Sequence, residues 1–130
     1  MRLSPLSPLA CFLSLTVSLV LAACGGDAND HGVGAACTMD TECSEEGQRC
    51  LTQFTGGYCG ISGCTHDVDC PDGSACVTES NGTNYCFLTC VDKIDCNENR
   101  PVESEASCVS SITFIDGAMG RKVCRPSLGG

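Results

Sequence analysis

Tryptophan is absent from these 130 residues, and four Phe with two Tyr are the only aromatic side chains. So little apolar area does not offset the entropy of ordering such a chain, which argues against a fold resting on one large hydrophobic interior. Cations are also sparse: seven Lys and Arg stand against sixteen Asp and Glu, a formal net charge of −9. A phosphate-binding face needs clustered positive charge, but Arg49, Lys93 and Arg100 are isolated and only Arg121, Lys122 and Arg125 lie near one another. Nucleic acid is therefore a poor partner. His31 and His66 are the only histidines, and neither belongs to a nucleophile–base pattern or a metal box. No catalytic residue is assigned, and the chain is read as non-enzymatic. The sequence also lacks Cys-x-x-Cys, which removes the common redox-enzyme motif and most structural zinc spacings. Neither a metal nor a cofactor is assigned.

Long apolar runs are missing too. The longest, Leu9 to Leu21, has thirteen residues and is preceded by Pro5 and Pro8, whereas a membrane-spanning helix needs about 20. With Arg2 ahead of it, the run has the length and flanks of a secretory leader, so residues 1–23 are expected to form a signal peptide. It closes on Leu21-Ala22-Ala23-Cys24. Leu21 at position −3 suits ordinary signal peptidase badly, because that enzyme selects small residues there. The four residues resemble the lipobox of bacterial lipoproteins. That resemblance implies a diacylglycerol on the thiol of Cys24, removal of the preceding peptide, Cys11 included, and a membrane anchor. Two or three acyl chains bind a bilayer durably, at about 0.8 kcal/mol per buried methylene. Gly25 in place of Asp lacks, by the same resemblance, the inner-membrane retention signal, so an outer-membrane location in the cell envelope is expected. Residues 24–36 follow as the lipidated cysteine and a tether with four glycines, no apolar period and a reach of roughly 20 Å. His31 is read there as a solvated side chain.

What the chain does have is cysteine. Beyond Cys11 and Cys24, twelve remain, and they fall into three units: Cys37, Cys43, Cys50, Cys59; Cys64, Cys70, Cys76, Cys86; and Cys90, Cys96, Cys108, Cys124. Five residues separate the first two cysteines of every unit. Residues 37–43, Cys-Thr-Met-Asp-Thr-Glu-Cys, parallel residues 64–70, Cys-Thr-His-Asp-Val-Asp-Cys, and Tyr58-Cys59 parallels Tyr85-Cys86. Unit three departs, with Val91, Lys93 and Val123 at the matching places and a longer span, as a terminal capping repeat does. An even cysteine count in an exported chain reads as disulfides, each contributing about 2–4 kcal/mol. The expected fold is a small disulfide-rich region over 37–130, built of three units of short helical turns and β-hairpins (about 37–59, 64–86 and 90–124) with little regular secondary structure. Four cysteines allow three pairings. Hairpin register favours no common choice, so only pairing within each unit is expected.

Each opening segment suits one helical turn, with Thr38 or Thr65 as N-cap and acids in the first turn. Gly56-Gly57, Asn81-Gly82 and Asp116-Gly117 suit two-residue hairpin turns, the last after a strand from Val109 to Ile115. Pro71-Asp72-Gly73 suits a tight turn. These units resemble short cysteine-rich repeats of secreted Gram-negative lipoproteins and, more faintly, the cysteine-rich N-terminal domain of the Dickkopf antagonists. The resemblance implies a small extracellular module and no particular chemistry.

The same stretches are compatible with two other roles. Asp40, Glu42, Asp67, Asp69 and Asp72 offer hard oxygens for calcium, but unit two misses EF-hand spacing by one residue and lacks the bidentate Glu. Turn capping is the better use of them. Asn81-Gly82-Thr83 matches a glycosylation sequon and is read as a turn. The expected function is a membrane-anchored envelope module that is structural or binds a protein or glycan through rigid loops. The alternative is a proteinase inhibitor presenting Arg49 beside Cys50.

Overall fold

The third and fourth cysteines of every unit face each other across an antiparallel strand pair, Cys50 opposite Cys59, Cys76 opposite Cys86 and Cys108 opposite Cys124. They are not bonded to each other. The opening turn lies across the hairpin, and its two cysteines staple one strand each. The bridges are Cys37–Cys50 and Cys43–Cys59, Cys64–Cys76 and Cys70–Cys86, Cys90–Cys108 and Cys96–Cys124. First-to-third and second-to-fourth pairing thus recurs in all three units, including the divergent one. Hairpin register alone could not yield this common order, because the turn decides it. The computed structural model describes residues 32–129; the expected signal peptide, Cys24 and His31 lie outside them.

The strands are short: β1 (Arg49–Cys50) pairs with β2 (Cys59–Gly60), and β3 (Ser74–Thr78) with β4 (Asn84–Leu88). In unit three β5 (Ser107–Val109) pairs with β7 (Val123–Arg125), while β6 (Thr113–Phe114) leaves its own unit and adds to β3. The expected strand from Val109 to Ile115 is therefore broken. Its two ends serve different sheets, and Asp116-Gly117 lies on the return path rather than at a hairpin tip. Asn81-Gly82 also departs from a two-residue turn. The Glu79 amide donates to the Thr83 carbonyl and the Gly82 amide to that of Glu79, leaving a three-residue connection with Gly82 at φ 81°. In unit one Gly57, at φ 68°, sits against the first bridge, where an added Cβ would fall 2.0 Å from the Cys37 carbonyl oxygen and 2.9 Å from both sulfurs. Only glycine fits there. Its role is close approach, not a two-residue reversal.

The opening turns are 3-10 helices at Asp40–Glu42, Asp67–Asp69 and Lys93–Cys96. The threonines do not cap them. Instead the last acid of each turn reaches back: Glu42 Oε2 accepts from the Thr38 and Met39 amides, Asp69 Oδ2 from Thr65 and His66, and Asp95 Oδ2 from Val91 and Asp92. The hydroxyls of Thr38 and Thr65 donate to the same carboxylates rather than accepting from backbone. A carboxylate can accept several donors at once and outcompetes a hydroxyl at this place.

Units are joined by one recurring bridge. Ser62, three residues past Cys59, bridges Tyr85, and Thr89, three past Cys86, bridges Val123. The tail then returns to the start: Leu128 bridges Phe54, the Gly129 amide donates to Gln53 and that of Thr55 to Ser127. Unit three closes a ring and does not cap an open row. The ring encloses one shared core of Leu51, Phe54 and Tyr58 from unit one, Ala75, Val77, Tyr85 and Phe87 from unit two, and Phe114 and Val123 from unit three. Five close ring-to-ring contacts tie four of these aromatics together, with Phe54 edge-on to Tyr85 at 5.2 Å and to Phe87 at 5.6 Å. Small as it is, this core belongs to no single unit.

Residues 32–36, expected as the end of the tether, belong to this body. The Gly34 amide donates to Cys59, the Cys59 amide to Ala35 and the Ala36 amide to Asn99, and Ala35 is buried. They lie along the closing strand of unit one, much as residues 61–63 lie along that of unit two. Among the described residues no helix is long and apolar enough to cross a membrane.

Candidate functional site

Asp40, Asp67, His66, Glu79 and Arg100 are engaged in holding the fold. Asp40 and Asp67 occupy equivalent places and do the same work: one oxygen of each accepts the amide of the third cysteine, Cys50 at 2.9 Å and Cys76 at 2.8 Å. The other oxygen takes a guanidinium, Arg49 for Asp40 and Arg121 for Asp67. The amide of Cys50 and then Arg49 hold the carboxyl of Asp40 below the usual range. The backbone amides that it accepts likewise hold Asp69 and Asp95 down. Asp40, Asp67 and Asp69 thus serve as acceptors for backbone amides at and behind the opening turns.

Arg49, the residue expected to present itself to a protease, stands on β1 opposite Gly60 and is drawn to Asp40 at 2.8 Å. A paired strand with a tethered guanidinium differs from a free inhibitory loop. Asn81 is exposed at the hairpin tip, where its Oδ1 accepts from the Thr83 amide and its Nδ2 donates to the Tyr85 hydroxyl.

His66 forms a small cluster with the crossing segment of unit three. Its Nδ1 lies 2.8 Å from Asp116 Oδ1, while the other oxygen of Asp116 accepts the Asp67 amide at 2.6 Å. That hydrogen bond raises the His66 pKa above its ordinary value and lowers that of Asp116. Arg121 completes the group, bonded to Asp67 and lying 5.2 Å from the centre of the Phe114 ring. The cluster docks the return path of β6 onto the opening turn of unit two.

Two buried charged residues are not signalled by the sequence. Glu79, whose side chain is fully buried, faces Arg125, which donates through Nε at 2.8 Å and again through Nη2. Burial pushes this carboxyl up, but Arg125 and the Ser80 amide together hold it below its ordinary value of 4.5. A carboxyl with a depressed folded pKa stabilises the fold above its unfolded pKa, and the contribution fades as pH falls through the folded one. Glu79→Gln should therefore cost about 2–3 kcal/mol at pH 7. The difference from wild type should shrink steadily toward pH 3 in thermal unfolding with the bridges intact; a difference independent of pH would refute the ion pair. Arg100 is the second such residue. It is 7% exposed, and carbonyls from three parts of the ring surround it. Read in the sequence as an isolated surface cation, it is a structural one. No spacing signals this, since its acceptors are all backbone atoms.

An open cleft of about 480 Å³ lies between Pro71-Asp72 and unit three, with Leu88 in its lining and Glu45, Asp72, Asp95 and Glu98 around it. In each unit three sulfurs lie within 4.8 Å of one another, because the two bridges of a unit stack. As members of disulfides they are not thiolate ligands. Compared with models of known families, with curated proteins and with solved structures, the chain finds no match.

Proposed function

We propose that this chain is a lipid-anchored, non-enzymatic module of the cell envelope, held to the outer membrane through Cys24 and presenting a rigid ring of disulfide-stapled loops as a structural element or to a protein or glycan partner. The ring closure carries this reading. A body whose tail pairs back onto its first unit holds its surface loops in fixed positions, so little entropy is lost when a partner engages them. The capping of backbone amides by Glu42, Asp69 and Asp95, and the pairing of Asp40, Asp67, Glu79 and Asp116, support the absence of catalysis. The motif at Leu21 to Cys24 supports the anchor.

The anchor is tested by expressing wild type and Cys24→Ser in a Gram-negative host and fractionating the cells. Wild type should sediment with membranes and carry acyl mass on Cys24, whereas the variant should be soluble, unacylated and unchanged in thermal stability. Equal partition of the two, with no acyl mass on either, would overturn the reading.

A further inference from the structure

We propose that Cys90–Cys108 is a redox-labile bridge through which a dithiol reductant opens unit three alone and starts disulfide exchange within it. In units one and two the first-to-third bridge is the protected one: Cys37, Cys50, Cys64 and Cys76 are all buried. Unit three inverts this order. Cys96 and Cys124 are buried, while both Cys90 and Cys108 are partly exposed, the only bridge of the six with neither cysteine buried. Thiol attack requires access to sulfur, so this bridge should react first.

A second difference points the same way. The clamp that Asp40 and Asp67 place on the amide of the third cysteine is missing from unit three, where Lys93 stands at that position and pairs with Glu105. What remains near the bridge holds its flanks. Asn97 bonds both the amide and the carbonyl of Ala106, and β5 stays registered on β7. Once reduced, Cys90 and Cys108 would therefore stay close to the neighbouring bridge. Their sulfurs and that of Cys96 lie within 4.8 Å of one another.

The chemistry balances in two steps. One thiolate of the reductant attacks a sulfur of Cys90–Cys108 to give a mixed disulfide. Its second thiolate displaces the remaining cysteine, so the reductant leaves as a disulfide and the two cysteines take up two protons. The Cys90 or Cys108 thiolate then attacks the sulfur of Cys96, forming a new bond as Cys96–Cys124 breaks and Cys124 departs as a thiolate; this step involves no net oxidation. Cys124 sits on β7 between Val123 and Arg125, and its carbonyl accepts the Tyr58 hydroxyl. Exchange would loosen the ring at that joint.

The oxidised full-length protein should be treated with dithiothreitol at neutral pH, quenched at intervals with N-ethylmaleimide and mapped by peptide mass spectrometry. The first product should carry two labels, on Cys90 and Cys108, and form at least about tenfold faster than any labelling in units one and two. Label on Cys124, with a new Cys90–Cys96 or Cys96–Cys108 link, should follow. All-or-none labelling, or first labelling within Cys37 to Cys59 or Cys64 to Cys86, would overturn the proposal. The double variant Cys90→Ser with Cys108→Ser should lose both the early product and the later label on Cys124. Cys124 labelling at the wild-type rate in that variant would overturn the exchange step. Should the variant fail to fold, the wild-type time course still decides the order of opening.

Discussion

Arg100→Met is expected to destabilise the oxidised protein by about 3–5 kcal/mol, although the residue pairs with no acid among the described residues. Its Nε donates to Ser104 at 2.7 Å, Nη1 to Gly57 at 2.8 Å and Gly34 at 3.2 Å, and Nη2 to Thr55 at 2.7 Å. The guanidinium also lies 5.7 Å from the centre of the Tyr58 ring. Burial lowers the Arg100 pKa, but an arginine starts so high that it stays charged throughout. Methionine preserves the stem and leaves these inward-facing carbonyls without donors. The loss should be measured by guanidinium chloride unfolding with all bridges intact. Arg100→Lys should recover less than half of it, because one ammonium cannot reproduce a planar fork spread over four acceptors. A cost below about 1 kcal/mol for the methionine variant would mean that solvent reaches the cation and that the cage is open.

Arg100 also shows where sequence reasoning stops. The cysteine count, the five-residue spacing and the paired Tyr58 and Tyr85 announce a stapled repeat, because each is a local regularity that survives in one dimension. The acids of the opening turns are legible for the same reason: Glu42, Asp69 and Asp95 act on amides three and four residues away. What a carboxylate does better than a threonine is a matter of acceptor strength, so the cap of each turn differs from the expected one. The pairing order is different in kind. It depends on the turn lying across the hairpin, which cysteine spacing leaves open. Ring closure is less visible still, since β6 has two residues and the Phe54–Leu128 bridge has one on each side. Strands this short carry no alternation to read. Lys93 breaks the repeat visibly in the sequence, but its consequence, a missing clamp beside a more exposed bridge, follows only from the contact between the Cys76 amide and Asp67.

The same ring makes Phe54→Ala a severely damaging apolar substitution, with an expected loss of about 3–5 kcal/mol. Phe54 is 1% exposed and has close ring contacts with Tyr58, Tyr85 and Phe87, so truncation leaves a void bounded by two units. Disulfides act chiefly on the unfolded chain by limiting its freedom, so they cannot fill a hole in the folded one. Three independent stapled beads would confine the damage to unit one. A shared core spreads it: amide chemical shifts should move at Tyr85, Phe87 and Val123 as well as near Phe54, and unfolding should remain a single transition at lower denaturant. Phe54→Leu, which refills part of the volume, should restore a large share of the loss. Shifts restricted to residues 37–60, with units two and three unfolding as in wild type, would show that sulfur alone holds each unit and that the aromatic cluster is incidental. The ring makes the opposite demand, because Leu128 is registered on Phe54 itself and the tail that closes the molecule rests on the segment carrying the core's central side chain.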